Sequence, residues 1–143
     1  MRVMVMVKSN PESESGTLPS TEQLEAMSRY NEELVKAGVM LDGNGLTPSA
    51  DGAIVSFTDG EPTVIDGPFT EAKELVAGYW LLEVRSLEEA IEWVKRIPGD
   101  EWDGESDVEI RQLYEADELG DGFTDEVRER QRRIEEQIAG QHG

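Results

Sequence analysis

The chain has 143 residues, which is enough for one domain with a hydrophobic core. Its 13 basic and 32 acidic residues give a formal net charge of −19, and a field of this sign disfavours binding to nucleic acid or to an anionic membrane surface. The absence of cysteine excludes disulfides and thiolate chemistry, and the one histidine, His142, adjoins the chain end. We therefore expect no histidine base, no metal site and no cofactor.

Residues Arg2–Lys8 form an apolar segment that we interpret as a strand. Val3, Val5 and Val7 fall on one face of such a strand, and the two methionines between them fall on the other. Because both faces are apolar, each needs a covering layer. The segment is too short for a signal peptide, and no run approaches the ~20 apolar residues of a membrane helix, so we expect a cytoplasmic protein.

A polar loop, Asn10–Pro19, precedes a helix that we predict at residues 21–37. Ser20 and Gln23 have the spacing of a capping box at its start, and Gly38 suits the left-handed position after its end. An apolar stripe at helical spacing runs along this helix: Leu24, Met27, Tyr30 and Leu34.

The region Val39–Ser49 is rich in Gly, Asn and Pro, and this composition predicts turns. Ala53–Thr58 has the pattern of a strand. Asp59-Gly60 then predicts a tight hairpin to a short return strand at Thr63–Ile65.

Residues Ala77–Val84 form the next predicted strand, after a break at Asp66–Phe69 and one helical turn at Thr70–Leu75. Tyr79 falls on one face of this strand and Trp80 on the other. Most of the remaining residues are apolar, so this strand also has two apolar faces.

A second helix is predicted at Ser86–Ile97, and Val108–Leu113 has the pattern of a last strand. Without the short hairpin strand, the order of elements is βαββαβ, the pattern of a ferredoxin-like α+β fold. Two helices cover only one face of the sheet in such a fold, whereas two of its strands are apolar on both faces. We therefore expect a homodimer in which the open faces of two sheets meet.

Residues 115–143 form an extension to the domain at residues 1–114. Glu115–Gly122 has the composition of an acidic linker, and Thr124–Ala139 is a predicted C-terminal helix with Thr124 as its cap. Three apolar residues on one face are too few to make this helix stable alone. Packing on the domain, exchange onto a partner chain and exposure to solvent all stay open for it.

One long segment resembles the signature of the DGPF group of YCII-related proteins: Asp66-Gly67-Pro68-Phe69-Thr70-Glu71-Ala72-Lys73-Glu74, followed by Gly78-Tyr79. Three further matches agree in order: Gly38-Val39, Gly45-Leu46-x-Pro48, and the helix that ends at Ile97-Pro98. The resemblance covers residues 1–114.

The resemblance to this family implies a dimeric ferredoxin-like α+β barrel. It implies little about activity, because most members are uncharacterised and some are associated with extracytoplasmic-function sigma factors. Some YCII relatives carry a His/Asp pair that is proposed as a catalytic site. No histidine lies within residues 1–114 of this chain, so that chemistry does not carry over.

Five residues of the signature region are candidates for lining a ligand pocket: Asp66, Phe69, Glu71, Lys73 and Tyr79. Asp66 fits a general base at a cleft, and it equally fits a turn residue that hydrogen-bonds the backbone. Lys73 fits an anion-binding group or a structural ion pair, and Glu71 fits an exposed carboxylate on a short helix. Tyr79 and Phe69 fit cavity walls, or a core residue and a loop anchor. No residue is assigned as catalytic.

Two kinds of function are compatible with these residues. In the first, the hairpin, the signature loop and the sheet face form a small-molecule cleft at the dimer interface. If that protein is an enzyme, cofactor-independent acid–base chemistry such as isomerisation fits the residues available. In the second, the protein is a non-enzymatic interaction module whose acidic tail docks a basic partner, with a link to sigma-factor regulation.

Overall fold

The computed structural model describes residues 1–69, 74–99 and 106–142. The chain divides into two compact units, residues 1–112 and residues 113–143. The first unit contains these helices and strands: β1 (Arg2–Lys8), α1 (Pro11–Glu14), α2 (Thr21–Lys36), β2 (Met40–Gly45), β3 (Ala53–Thr58), β4 (Glu61–Asp66), β5 (Val76–Glu83), α3 (Leu87–Lys95) and β6 (Val108–Gln112). The second contains a 3₁₀ turn (Ala116–Glu118) and α4 (Asp125–His142). None of the helices described has the length and apolar character needed to cross a membrane.

The main sheet has four antiparallel strands in the order β2-β5-β1-β6, and β3 and β4 form a separate two-stranded sheet. Helix α2 connects β1 to β2, and α3 connects β5 to β6. This order and connectivity are those of a ferredoxin-like fold with an inserted hairpin. The predicted α+β class, with its antiparallel sheet and C-terminal helix, is therefore confirmed.

The hydrophobic core of the first unit lies on one face of the main sheet. Val3, Val5 and Val7 are at most 6% exposed, and they share one cluster with Leu34 of α2 and Ala90 of α3. Both helices therefore pack on the valine face of β1, as the alternation in its sequence predicts.

The opposite face of this sheet carries the other residues of the same strands. Met4 and Met6 of β1 are partly exposed and lie outside the core cluster, as does Leu81 of β5. Within the described part of this unit, no helix packs on that face. We call it the open face of the sheet.

The position of the second strand of the sheet differs from the prediction. The sequence pattern predicts turns at Val39–Ser49 and the second strand of the sheet at Ala53–Thr58. In the structure, the second strand is β2 at Met40–Gly45, and Ala53–Thr58 belongs to the separate hairpin. The glycines that suggested turns have a packing role instead. A Cβ on Gly43 would lie 2.8 Å from Cδ1 of Trp80. The Trp80 ring can therefore pack against β2 because residue 43 has no side chain.

Local sequence signals predict the ends of several elements correctly. Ser20 and Gln23 form the predicted capping box of α2, with hydrogen bonds of 3.1 and 2.7 Å. Asp59 and Gly60 both have positive φ angles, 54° and 80°, as a two-residue hairpin turn requires. Helix α3 is capped by Ser86, but the Glu89 carboxylate accepts from the backbone N–H of Arg85 and not from that of Ser86.

The signature segment begins as a tightly packed corner. A Cβ on Gly67 would lie 1.7 Å from the carbonyl oxygen of Ser49, so no larger residue fits there. The backbone N–H of Phe69 donates to the Ser49 hydroxyl at 2.9 Å, and the Ser49 hydroxyl donates to the Glu14 carboxylate. The Gly67–Pro68 bond is cis. The helical turn predicted from Thr70 begins in residues 70–73, which lie outside the described residues.

The second unit consists mainly of α4. Thr124 caps this helix by accepting a 3.2 Å hydrogen bond from the backbone N–H of Val127. Arg132 bridges Glu129 and Glu136 along one side, and the hydrogen bond from Arg132 holds the pKa of Glu129 below its usual value. Pairs at this spacing stabilise an exposed helix modestly.

The close packing of β2 can be tested by replacing Gly43 and Gly45 with alanine. We expect Gly43→Ala to lower the free energy of unfolding by about 1–3 kcal/mol, because its Cβ would overlap the Trp80 ring. Nothing lies within 4 Å of a Cβ built on Gly45, so Gly45→Ala should be neutral or stabilising by about 0.4–1 kcal/mol. Urea unfolding followed by tryptophan fluorescence measures both. Equal effects of the two substitutions would contradict the close packing of Gly43 against Trp80.

Candidate functional site

The structure describes three of the five residues that the sequence suggested, namely Asp66, Phe69 and Tyr79. Asp66 ends β4 with an exposed side chain, and no described residue hydrogen-bonds its carboxylate. Phe69 is partly buried at the corner on Ser49. Glu71 and Lys73 lie outside the described residues. Of the three described candidates, only Tyr79 on the central strand β5 has a side chain that hydrogen-bonds other side chains.

Tyr79 belongs to a cluster of three hydrogen-bonding side chains. Its hydroxyl donates to Oδ2 of Asp42 at 3.2 Å and accepts from Nδ2 of Asn44 at 3.1 Å. The same amide nitrogen of Asn44 lies 3.4 Å from Oδ1 of Asp42, which closes the ring of contacts. Asn44 is also the cross-strand partner of Tyr79, so the pairing of β2 with β5 sets this geometry. We call these three residues the tyrosine cluster.

Apolar residues of the open face adjoin the tyrosine cluster. Met6 of β1 is the cross-strand neighbour of Tyr79, and Met4 is the neighbour of Leu81. All four residues are partly exposed. A polar group beside an apolar strip is the usual composition of a small-molecule site, in which apolar walls hold a ligand and a few polar atoms orient it.

A cavity of about 210 Å³ adjoins the same edge of the sheet. Its lining includes Tyr79, Asn44, Trp80, and Met27 and Asn31 of α2. The indole N–H of Trp80 donates to Oδ1 of Asn31 at 2.8 Å. Because an indole nitrogen is only a donor, this bond fixes the orientation of the Asn31 amide. No described residue accepts a hydrogen bond from the Asn31 amide nitrogen, so that donor remains available to a ligand.

Tyr30 of α2 holds the wall of this cavity in place. Its ring meets Trp80 edge to face, with 5.5 Å between ring centroids, and its hydroxyl donates to the backbone carbonyl of Trp93 at 2.7 Å. Burial raises the pKa of Tyr30 to about 12, partly offset by the positive charge of Arg96. The phenol is therefore a structural hydrogen-bond donor that links α2 to α3 across the core.

The tyrosine cluster has the components of an acid–base site. A carboxylate accepts a proton, a phenol donates one, and an amide nitrogen donates a hydrogen bond without changing its charge. No group of three or more metal-ligating side chains occurs in residues 1–69, 74–99 or 106–142.

Sequence reasoning missed Asp42 and Asn44, which were interpreted as turn residues. A signal for them exists in the segment Leu41-Asp42-Gly43-Asn44-Gly45. If this segment is a strand, residues 42 and 44 fall on the same face. The polar alternation was concealed by three residue types that are typical of turns.

The fold and the cluster define a small ferredoxin-like α+β domain with a candidate ligand site at one edge of its sheet. The chain belongs to the YCII-related domain family, whose model matches residues 1–114. The family match agrees with the resemblance found from the sequence, which also covers residues 1–114.

Two comparisons with individual proteins accompany the family match. The chain is 31% identical over 94 residues to an uncharacterized protein of Rhizobium meliloti (strain 1021), covering 65% of this chain and 76% of that protein. It is similar in structure to 5-chloro-2-hydroxyhydroquinone dehydrochlorinase from Burkholderia phenoliruptrix AC1100, solved in complex with 2,5-dihydroxybenzoquinone. That similarity has a TM-score of 0.43 and 18% identity, and it covers 80% of this chain and 96% of the other.

The role of Tyr30 can be tested with Tyr30→Phe. Below pH 10 we expect this variant to be less stable by about 0.5–1.5 kcal/mol, because the Trp93 carbonyl loses the Tyr30 hydroxyl and keeps only the backbone N–H of Arg96 as a donor. The folded pKa of about 12 exceeds the unfolded value of 10.0, so at pH 10–12 the folded state retains a proton that the unfolded chain releases. The stabilisation from Tyr30 is thus complete below pH 10 and is lost as pH rises through 12.

Urea titrations of Tyr30→Phe and of the unsubstituted protein between pH 8 and 12 measure the difference in their free energies of unfolding. The other titrating groups are present in both proteins, so the pH dependence of the difference reports Tyr30. The stability difference should shrink as the pH rises. A difference that stays constant to pH 12 would contradict a buried, proton-retaining Tyr30.

Proposed function

We propose that this protein binds a small molecule in a cleft at the edge of its main sheet, and that a second copy of the chain closes this cleft. The observation that carries the proposal is the tyrosine cluster. Its hydroxyl, carboxylate and amide groups lie on the open face, beside the apolar side chains of Met6 and Leu81. Hydrogen-bonding groups beside an apolar surface are the usual composition of a ligand site.

The composition of the open face supports the proposal that a second copy of the chain packs there. Met4, Met6 and Leu81 present a contiguous apolar strip that the helices of the first unit do not cover. Arg111 is the cross-strand neighbour of Met4, so this face carries positive as well as negative charge in a protein with a net charge of −19. Two such faces can meet with less repulsion than two average surfaces of this chain.

Proton transfer next to a carbonyl group is the chemistry that fits the cluster best. In such a reaction, the Asp42 carboxylate accepts a proton from a carbon of the substrate and returns it to another carbon. Tyr79 and the amide of Asn44 donate hydrogen bonds to the substrate oxygen, where negative charge develops. The step is an isomerisation, so it needs no cofactor.

The alternative of an acidic docking tail has less support. Residues 113–143 contain nine acidic residues and four arginines, a net charge of −5 out of −19. Most of the negative charge therefore lies in residues 1–112. Several tail arginines form ion pairs within the unit, including Arg128 with Asp117 and Arg132 with Glu129.

A thermal-shift screen of small metabolites tests the proposed site. A ligand at 100 times its dissociation constant stabilises the folded protein by about 2.7 kcal/mol, which is readily detected. For any such ligand we expect Tyr79→Phe and Asp42→Asn to weaken binding by roughly 10- to 100-fold, since each removes a hydrogen bond to the ligand or its partner. Circular dichroism confirms that the variants remain folded.

Asp66→Asn is the matched comparison, because Asp66 is an exposed carboxylate that does not line the cavity. It should bind every ligand as the unsubstituted protein does. Binding that is lost in Asp66→Asn but retained in Tyr79→Phe would place the site on the signature loop. That result would overturn the proposal.

The assembly is tested by light scattering coupled to size exclusion. We expect twice the chain mass of 15.9 kDa for the unsubstituted protein. The monomer mass should appear for Leu81→Asp, which buries a charge at the centre of the open face. Val35→Asp serves as the control because Val35 is 62% exposed on α2, away from that face. Dimerisation should strengthen with added salt, which screens the repulsion between two acidic chains.

A monomer mass for the unsubstituted protein at micromolar concentration would refute the dimer. The same mass for Leu81→Asp and for the unsubstituted protein would show that the open face is not the interface.

A further inference from the structure

Helix α4 carries an apolar stripe that is exposed along its whole length. Val127, Ile134 and Ile138 are 38%, 40% and 54% exposed, and no residue between Asp125 and His142 is buried. Most of the stability of a helix in a protein comes from the packing of its apolar face against another element. A partner that covers this stripe would therefore stabilise α4.

The spacing of the stripe indicates what kind of partner fits it. Its residues follow one another at intervals of four, three and four positions: Val127, Gln131, Ile134 and Ile138. This alternation is the seven-residue repeat of a coiled coil, whose positions are labelled a to g and whose a and d residues face the partner helix. Val127 and Ile134 take d positions, and Gln131 and Ile138 take a positions. Gln141 takes the next d position. So narrow a stripe fits one other helix.

The charged residues of α4 follow the same repeat. Arg132, Glu129 and Glu136 form ion pairs with one another and occupy b and f positions, on the side away from the stripe. Arg130 takes a g position and Glu135 the following e position, on the two flanks of the stripe. In a parallel pair of helices, side chains at g and e form ion pairs between the helices. Two copies of α4 would therefore place Arg130 of each beside Glu135 of the other.

The charge of α4 favours a second copy over a basic partner. The helix contains five acidic residues and four arginines, a net charge of −1, whereas the whole chain carries −19. A strongly basic partner gains little attraction from a nearly neutral helix, and two such helices repel each other little. The occupant that matches both the spacing and the charge of the stripe is another α4.

We propose that α4 pairs with α4 of a second copy as a parallel, two-stranded coiled coil in register. Gln131 then faces its own copy across the two-fold axis, where its amide can both donate and accept a hydrogen bond. A polar residue at one a position fixes the register of such a pair. The inference rests on the dimer of the proposed function, because three apolar residues are too few to hold two separate chains together. Chains that are already joined present their helices to each other at high effective concentration.

Single cysteines test the pairing, because the chain contains none of its own. Gln131→Cys and Gln141→Cys change polar residues of the stripe that lie ten positions apart, which is about 15 Å along a helix. A disulfide needs Cα atoms within about 7 Å of each other. In a parallel pair in register, both positions face their own copy. We therefore expect oxidation with diamide to cross-link both variants between chains, whereas an antiparallel pair allows a cross-link at one of them at most.

Arg133→Cys is the matched control, because Arg133 takes a c position on the outer side of the helix. It should cross-link on the order of tenfold more slowly than Gln131→Cys, since its Cα atoms are too far apart in the pair. Non-reducing gel electrophoresis measures both rates.

A charge reversal tests the register. Glu135→Arg, added to Gln131→Cys, brings two arginines together on each flank and should slow the cross-linking roughly fivefold. Arg130→Glu, added to that variant, restores an attractive pair with the charges exchanged, so the rate should recover. A rate that Glu135→Arg leaves unchanged would overturn the parallel register.

Light scattering on the same samples before oxidation separates this inference from the dimer on which it rests. A dimer mass with cross-links in both Gln131→Cys and Gln141→Cys supports the helix pair. A dimer mass with a cross-link in one of them or in neither, or with an equal rate for Arg133→Cys, refutes the helix pair and leaves the open-face dimer standing. A monomer mass without cross-links refutes both.

Discussion

The packing of the Trp80 indole ring against Gly43 is the contact on which the edge of the main sheet depends. A Cβ on residue 43 would lie 2.8 Å from Cδ1 of that ring, so the ring keeps this position only beside a glycine. The pairing that follows sets Asn44 opposite Tyr79 and Asp42 opposite Leu81. The tyrosine cluster therefore depends on the pairing of β2 with β5, and Gly43 and Trp80 together line the cavity of about 210 Å³ at the same edge.

The core that supports this edge could be predicted from the sequence because each element carried its own signal. Alternating valines in β1 indicate which face is buried, and the capping residues Ser20 and Ser86 mark where two helices begin. Such signals are local, since a cap or a period-2 pattern depends on residues within one element. The order of elements then limited the fold to a few arrangements, of which the ferredoxin-like one was correct.

The second strand could not be predicted, because the contact that requires a glycine in it is made by a residue of another strand. Gly, Asn and Asp are typical turn residues, and the segment Asp42–Gly45 contains nothing else. Only the position of Trp80 makes a glycine necessary at residue 43, and that is a tertiary contact. The exposed Leu24 has a similar explanation. Its helical spacing fits the core stripe, but it lies in the first turn of α2, before the buried Tyr30 and Leu34, where the helix lines a second cavity of about 330 Å³.

The signature segment and the candidate site have different roles in this molecule. Gly67 stacks on the carbonyl of Ser49, and Ser49 in turn binds both Phe69 and Glu14. These contacts join the hairpin, the 3₁₀ turn at Ser49–Asp51 and α1 into one corner, and they explain why residue 67 has to be glycine. The hydrogen-bonding side chains of the candidate site lie instead on β2 and β5. A segment that identifies a family can thus be the part that fixes its architecture, while the residues that would select a ligand lie on a strand with no recognisable motif.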